Sequence, residues 1–575
     1  MTRPTRNEYV TGYESTCNCT EMRMTLETDV PMTTRDGVVL RADIHRPDDA
    51  DRRPALLVRT PYDKASPYQP LYLDPRFAAS RGYVVVIQDV RGRGTSEGEW
   101  LPWKHETEDG FDTVAWVAAQ DFCDGRVVMC GASYLGNTQW RAAASGVPEL
   151  RAIAPGMTWS NPLDGILRRG GAPEHGLNVV WSLMTGMTEL LRRGKAAEAM
   201  EAAHRYDGLG RGEYPSYPAG RIPWLEELDV PDIGLRRADA DPKTVAELDV
   251  DSYLDEIRTP ALHIGGWYDI FLQGTLDNFA RQRELGVASH LIVGPWTHSP
   301  DFTPQVGEMN FGLAAGGQSM GLTSSIAAEH FEFFDAVLAD RPLDRAPVRL
   351  FVMGRNEWRD EESWPLARAA TTRLELGSAE RAVLRSPHGE SSADEDADSG
   401  SPAVATLTFE ASEPVPTVGG GLAMHDSFPW GAWNQRDVER RDDVLVFTTD
   451  PLDEPLEITG RVRAHLRVRP GAAVSDWVVR VCAVRPDGRS INLVDGVTRV
   501  ESTDGRADTS GERTVTVDLW STSIELAAGH RLRVHLAHSN FPRWGLSQPD
   551  GSFISDVLLG AGDSWIELPV IPPSA

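Results

Sequence analysis

The sequence predicts an α/β domain built on a parallel sheet, interrupted by a helical insertion and followed by an all-β domain. Three observations predict it. First, Ala55 to Arg59, Tyr83 to Asp89, Val127 to Cys130 and Ala152 to Ala154 are short, continuous apolar runs, the pattern of strands buried on both faces. Second, a stretch from about Thr107 to Gln120 places Phe111, Val114, Trp116 and Val117 at helical spacing with acidic residues in its first turn, so strand and helix alternate. Third, from Thr371 the helical pattern gives way to recurring strand-like segments separated by turns, which signals a sandwich or jelly roll.

The elements follow in order. Met24 to His45 alternates around Asp36-Gly37, a hairpin turn signal. After the four apolar runs, Gly156 to Val250 is helical in tendency, rich in Leu, Met and Arg, and broken by Gly- and Pro-rich pieces such as Gly208 to Pro223. It reads as an inserted cap. The strand pattern resumes at Ala261 to Gly265, Leu291 to Val293 and Val348 to Val352, with a helix from about Ser324 to Leu338. The later strands are Val444 to Thr448, Ala464 to Val468, Trp477 to Val484, Ile491 to Val494, Arg513 to Leu519 and Arg531 to Ala537. The expected division is 1–155 and 251–368 for the α/β domain, 156–250 for the cap and 369–575 for the jelly roll. Ser391 to Gly400 is an acidic, low-complexity stretch, read as a solvated surface loop rather than a cation site.

With 575 residues the chain is long enough for two or three domains. A net charge of -28 argues against nucleic acid and anionic membranes as partners. Lys64, Lys104, Lys195 and Lys243 are the only lysines, a bias read as base composition of the genome in preference to salt adaptation. No apolar run approaches the ~20 residues a membrane span needs, and residues 1–20 lack the apolar stretch of a signal peptide. The five cysteines form an odd, scattered set, which fits a reducing cytoplasm. Cys17-x-Cys19 has no second pair nearby and one intervening residue is too few for the usual zinc loop, so it reads as part of a mobile arm. No metal and no cofactor is expected.

The chemistry centres on Val127-Val128-Met129-Cys130-Gly131-Ala132-Ser133-Tyr134-Leu135-Gly136. A strand runs through Gly-x-Ser into a helix, the arrangement of a nucleophile elbow, with small residues beside the serine and a helix N-terminus that favours developing negative charge. The common form has glycine two residues after the serine; here Leu135 stands there and Gly136 follows. Taken alone, the string fits equally an ordinary strand-to-helix turn with Ser133 as N-cap. Two later segments decide between these. The strand at Ala261 runs into Gly266-Trp267-Tyr268-Asp269, and that at Leu291 into Gly294-Pro295-Trp296-Thr297-His298. An Asp and then a His therefore follow later strands at the edge of the sheet where ligands bind. The order Ser, Asp, His is that of the α/β-hydrolase fold. In this reading His298 takes the proton of Ser133, and Asp269 orients His298. The oxyanion donors are the backbone N–H of Tyr134 and the Tyr62 hydroxyl, from the loop Arg59-Thr60-Pro61-Tyr62-Asp63-Lys64.

These residues resemble the cocaine esterase-like serine hydrolases, a group shared with α-amino acid ester hydrolases and X-prolyl dipeptidyl peptidases. The matching strings are Pro61-Tyr62-Asp63-Lys64, Gln88 to Gly92 with Ser96 to Glu99, Gly131 to Trp140, Gly266 to Asp269, Val293 to Ser299, Val352 to Asp360 and Gly529 to Trp544. The resemblance implies a hydrolase domain, a helical cap and a C-terminal jelly roll. It supports Tyr62 as the oxyanion donor and makes Gly136 the family's own form of the elbow. Within it, Arg91-Gly92-Arg93-Gly94 is a structural loop beside the active site; its spacing fits no phosphate-binding fingerprint.

α-Amino acid ester hydrolases carry a carboxylate pair shortly after the catalytic Asp, but here Ile270-Phe271-Leu272 follows. X-prolyl dipeptidyl peptidases of lactic acid bacteria have an extra N-terminal domain, for which a hydrolase starting near residue 25 leaves no room. The cocaine-cleaving branch has an aromatic acyl pocket. Its matching positions here are Trp181, Phe271, Ala423-Met424 and Leu167, or its neighbour Ile166. The implied activity is hydrolysis of a small-molecule carboxylic ester by water through an acyl-enzyme. The alternative is an X-Pro dipeptidyl-peptidase, amidase or α-amino acid ester hydrolase, which needs a cap carboxylate such as Glu174 or Glu189 to hold an amine. A non-catalytic binder using the β-sandwich is the reading from a different class. Self-association is left open.

Overall fold

The structure is a computed structural model that describes residues 6–10, 23–66, 73–215, 222–230, 242–378, 380–385, 403–501, 511–560 and 562–572. Cys17, Cys19 and the acidic stretch 391–400 lie outside the described residues.

An 11-stranded sheet organises the first part of the chain. Its strands lie in chain order, except that Val84–Asp89 sits between Val39–Pro47 and Arg53–Thr60. The hairpin Arg23–Thr33 with Val39–Pro47 turns at the expected Asp36-Gly37 and is antiparallel. From Arg53–Thr60 to Val348–Val352 the neighbours are parallel. An antiparallel edge strand, Glu357–Glu361, closes the sheet. Every residue of Val84–Asp89 is buried, because helices cover both faces and β-branched side chains pack well on them. The helix Glu106–Ala118 packs Val114 and Val117 on one face, and Ile326–Leu338 packs Phe331, Phe333 and Phe334 on the other.

Between Leu150–Gly156 and Leu262–Tyr268 the chain leaves the sheet. Helices His175–Arg192 and Ala196–Leu209 pair there, preceded by a two-residue ladder of Arg168–Arg169 on Ala172–Pro173, which the helical reading of this stretch did not contain. The ladder is set by Gly170 and Gly171, both at positive φ.

In the C-terminal part the paired strands run antiparallel: a 7-stranded and a 4-stranded sheet share one apolar core, with Leu466, Val517 and Leu568 facing Val479, Val481 and Val534. All six strands read from the sequence are present. Ala370–Leu376, Ala382–Arg385, Ala403–Glu410, Ser552–Leu559 and Trp565–Ile571 are additional. Ala403–Glu410 shows why they escape a search for apolar runs: only Leu407 and Phe409 in it are buried, alternating with exposed polar residues. No helix among the described residues is long and apolar enough to cross a membrane.

Several histidines are part of these cores. His175, His263, His330 and His538 are buried, and burial pushes each pKa down to about 4. Unfolded histidine takes a proton near pH 6.5. Between that value and about 4 the unfolded chain binds more protons, so stability falls as pH falls through this window. The urea midpoint is expected to be clearly lower at pH 5 than at pH 7.5; an unchanged midpoint would contradict this assignment.

Candidate active site

Three strand ends of the parallel sheet converge on one point. The strand Cys123–Ala132 ends at Ser133, which has φ 62 and ψ -123 before the helix Tyr134–Ala144 begins. A non-glycine residue at positive φ is strained, and the surroundings hold it: the Ser133 N–H donates to Gly156 O at 2.9 Å. The packing explains the unusual elbow. A Cβ on Gly131 would lie 2.6 Å from Leu135 Cβ, and one on Gly136 would lie 2.8 Å from Thr158 Cβ and 3.0 Å from Gly156 O. Leu135 thus covers Gly131, and glycine is required one position later, where the helix meets the neighbouring strand.

Asp269 follows Leu262–Tyr268 and His298 follows His290–Thr297. His298 Nδ1 is 2.6 Å from Asp269 Oδ1, and Nε2 is 3.0 Å from Ser133 Oγ. A carboxylate only accepts, so Nδ1 carries the proton and Nε2 is left to accept from the Ser133 hydroxyl. The other oxygen, Asp269 Oδ2, accepts from the Phe271 N–H at 3.1 Å. Asp269 is buried, and the Phe271 ring packs nearly perpendicular to the imidazole, with centroids 5.1 Å apart.

Tyr62 lies half-buried on the loop after Arg53–Thr60. Its hydroxyl accepts from Trp181 Nε1 at 3.0 Å, and Tyr62 and Ser133 line the same cavity. Burial pushes its pKa up to about 12, so it stays protonated where an ordinary tyrosine ionises. Because indole N–H only donates, the Tyr62 proton is left to point elsewhere. Tyr134 is the first residue of its helix, so its N–H has no partner within it. Its side chain is pinned: the hydroxyl donates to Glu106 Oε1 at 2.8 Å, and Glu106 Oε2 is 2.6 Å from Arg59 Nη1.

A cavity of about 180 Å³ opens at Ser133, Tyr62 and His298. Trp181, Phe271 and Met424, the positions named from the resemblance, are among the residues that line it. Of the pair 166 and 167, Ile166 lines it; Leu167 is fully buried in the same apolar cluster, so the assignment to Leu167 is corrected. Trp103 and Trp159 were missed. Trp103 stacks on both Trp181 and Tyr134, and Trp159 meets Trp103 edge-on and Phe271 at a tilt. Trp103 closes the string that begins at Ser96-Glu97-Gly98-Glu99, the nearest signal the sequence offered.

Neither proposed amine-binding carboxylate faces the cavity. Glu174 is buried against the C-terminal part, accepting from Trp544 Nε1 at 2.9 Å, and Glu189 is held by Arg192 and Arg193. Among the described residues, Asp426, exposed at the cavity, is the one carboxylate that lines it. The C-terminal part is integral to the site: it supplies Ala423, Met424, Asp426 and Trp430, and Gly421 approaches Asp269 so closely that a Cβ there would lie 3.0 Å from Asp269 O.

Comparison with known proteins matches residues 36–300 to the X-Pro dipeptidyl-peptidase (S15 family) domain and residues 343–556 to the X-Pro dipeptidyl-peptidase C-terminal non-catalytic domain. The chain is 35% identical to the cocaine esterase of Rhodococcus sp. (strain MB1 Bresler) over 92% of each protein. Among solved structures, an aminopeptidase from a marine sediment Thaumarchaeota archaeon superposes with a TM-score of 0.76 at 22% identity, covering 96% of this chain and 97% of the other. An α-amino acid ester hydrolase superposes with a TM-score of 0.74 at 22% identity, covering 95% and 96%. Both share the fold. These findings make the chain a serine hydrolase of α/β architecture, esterase-like in its relationships. More particularly, it belongs to the CocE/NonD family, built on the S15 dipeptidyl-peptidase domains.

Proposed function

We propose that this enzyme cleaves carboxylic esters with a compact, apolar acyl group through an acyl-enzyme on Ser133. The observation that carries the reading is the continuous chain Asp269–His298–Ser133, at 2.6 and 3.0 Å, opening on an aromatic cavity. His298 Nε2 takes the Ser133 proton as Oγ attacks the ester carbonyl. Asp269 stabilises the imidazolium. The Tyr134 N–H and the Tyr62 hydroxyl receive the oxyanion, and His298 returns the proton to the leaving alcohol. Water, activated by the same histidine, then releases the acid. The cavity is close in size to the ~150 Å³ apolar cavity known to bind benzene, which favours an acyl group of one ring or a short branched chain.

The test is a panel of p-nitrophenyl esters graded by acyl size, with an initial burst of p-nitrophenol as the sign of the acyl-enzyme. Rates should peak at ring-sized acyl groups. A monotonic rise toward long chains would contradict the cavity argument. Tyr62→Phe is expected to lower kcat by about 10²- to 10³-fold with KM little changed, since an oxyanion donor acts mainly in the transition state. An unchanged kcat would remove Tyr62 from the mechanism.

The second reading is an X-Pro dipeptidyl-peptidase or α-amino acid ester hydrolase. Asp426 is the observation in its favour, because its carboxylate could meet a substrate ammonium. If that reading holds, Asp426→Asn lowers kcat/KM for aminoacyl esters or X-Pro anilides by about 2- to 5-fold and leaves neutral esters unaffected. Equal effects on both classes exclude it.

A further inference from the structure

The loop after Val84–Asp89 carries Arg91 and Arg93, which point opposite ways. Arg91 reaches Asp36 and Asp109 at 2.7 and 2.6 Å. Arg93 turns inward and is 5% exposed. The glycines on either side make this possible. A Cβ on Gly92 would lie 2.2 Å from Trp100 N, and one on Gly94 would lie 2.0 Å from Asp89 Oδ2, so the backbone is pressed against the protein on both flanks of Arg93.

The guanidinium spans two segments that are remote in sequence. Nε donates to Pro61 O at 2.7 Å, immediately before Tyr62. Nη1 donates to Thr185 O at 3.1 Å and Nη2 to Thr188 Oγ1 at 2.6 Å, both on the helix His175–Arg192. That helix also carries Trp181, whose indole N–H donates to the Tyr62 hydroxyl. Arg93 packs on Trp100, 4.4 Å from the ring centroid, and Trp100 in turn meets Trp181. The loop and the helix are therefore joined at both ends of the tyrosine, by Arg93 at its backbone and by Trp181 at its hydroxyl.

The charge of Arg93 is not consumed by a tight ion pair. The carboxylate oxygen Glu189 Oε2 is 4.0 Å away, and Glu189 is held by Arg192 at 2.9 Å and Arg193 at 2.7 Å. Burial lowers the Arg93 pKa, the cost of keeping a cation there. Burial dominates at the Tyr62 hydroxyl, raising its pKa and keeping it protonated; the Arg93 charge only partly opposes that rise.

We propose that Arg93 is a positioning residue for the reaction: it locks the Tyr62 loop to the cap helix and so holds the Tyr62 hydroxyl over Ser133. The proposal rests on the reading of Tyr62 as an oxyanion donor. It concerns orientation in the transition state, where a small misplacement costs up to about 10²-fold.

A double-mutant cycle on the full-length enzyme tests it, with Arg93→Met and Tyr62→Phe singly and together and a p-nitrophenyl ester as substrate. Arg93→Met should lower kcat by about 10- to 100-fold with KM changed by no more than about twofold. In the Tyr62→Phe background the same substitution should cost less than about twofold, because the hydroxyl it orients is gone. Equal losses in both backgrounds, or no loss in either, would overturn the proposal. Unchanged kcat in Tyr62→Phe alone would instead overturn the oxyanion reading, so the two failures are distinguishable. Should Arg93→Met fail to fold, Thr188→Val removes one of the Arg93 bonds and leaves the arginine in place. Its kcat loss should likewise vanish in the Tyr62→Phe background, and persistence of that loss would count against Arg93.

Discussion

Ser133→Ala is expected to lower kcat for p-nitrophenyl esters by about 10⁴- to 10⁶-fold, the range seen when the nucleophile of a serine triad is removed. Ser133 Oγ stands 3.0 Å from His298 Nε2 in the cavity that Tyr62 also lines. The loss therefore comes from chemistry and not from collapse of the site. Alanine is an L residue like serine and meets the same φ of 62, so the elbow is no more strained than before. Substrate binding in the aromatic cavity should persist, and KM or the affinity for the acid product should change little. A variant that keeps more than about a tenth of wild-type kcat would mean that Ser133 is not the nucleophile.

Asp269→Asn is expected to lower kcat by about 10⁴-fold with the fold intact. The reason lies in the second oxygen of Asp269. Oδ2 accepts from the Phe271 N–H at 3.1 Å, a bond that an asparagine keeps only by placing its carbonyl there. Its NH₂ group must then face His298 Nδ1. A donor facing Nδ1 drives the imidazole proton to Nε2, which can no longer accept from Ser133. The variant should label far more slowly with a fluorophosphonate, while its unfolding midpoint stays near that of the wild type. Undiminished labelling would contradict the role given to Asp269.

The three residues of this chain could be read from the sequence because each stands just past a strand of continuous apolar residues. Such strands end where the next turn begins, and the turn fixes the side chain in space. The cavity was less legible, since its walls come from distant segments: the Tyr62 loop, Trp103 and Trp159, the cap helix at Trp181, and residues 423–430 of the C-terminal part. A one-residue choice such as Ile166 over Leu167 depends on the local turn, which composition does not encode. Glu174 and Glu189 illustrate a second limit. Their arginine and tryptophan partners decide where they point, and Trp544 is 370 residues away from Glu174 in the chain. Arg93 was read only as part of a structural loop, because its hydrogen bonds run to backbone carbonyls and a threonine and follow no spacing rule. The edge strands of the C-terminal sheets, exposed on one face, lack the apolar runs that mark the central ones.

The most direct measurement is to treat the wild-type enzyme and the Ser133→Ala variant with a fluorophosphonate and locate the adduct by peptide mass mapping. The account predicts one adduct per chain, on Ser133, formed at a rate that parallels loss of ester hydrolysis and absent from the variant. An adduct on another residue, or activity that survives complete labelling of Ser133, would contradict it.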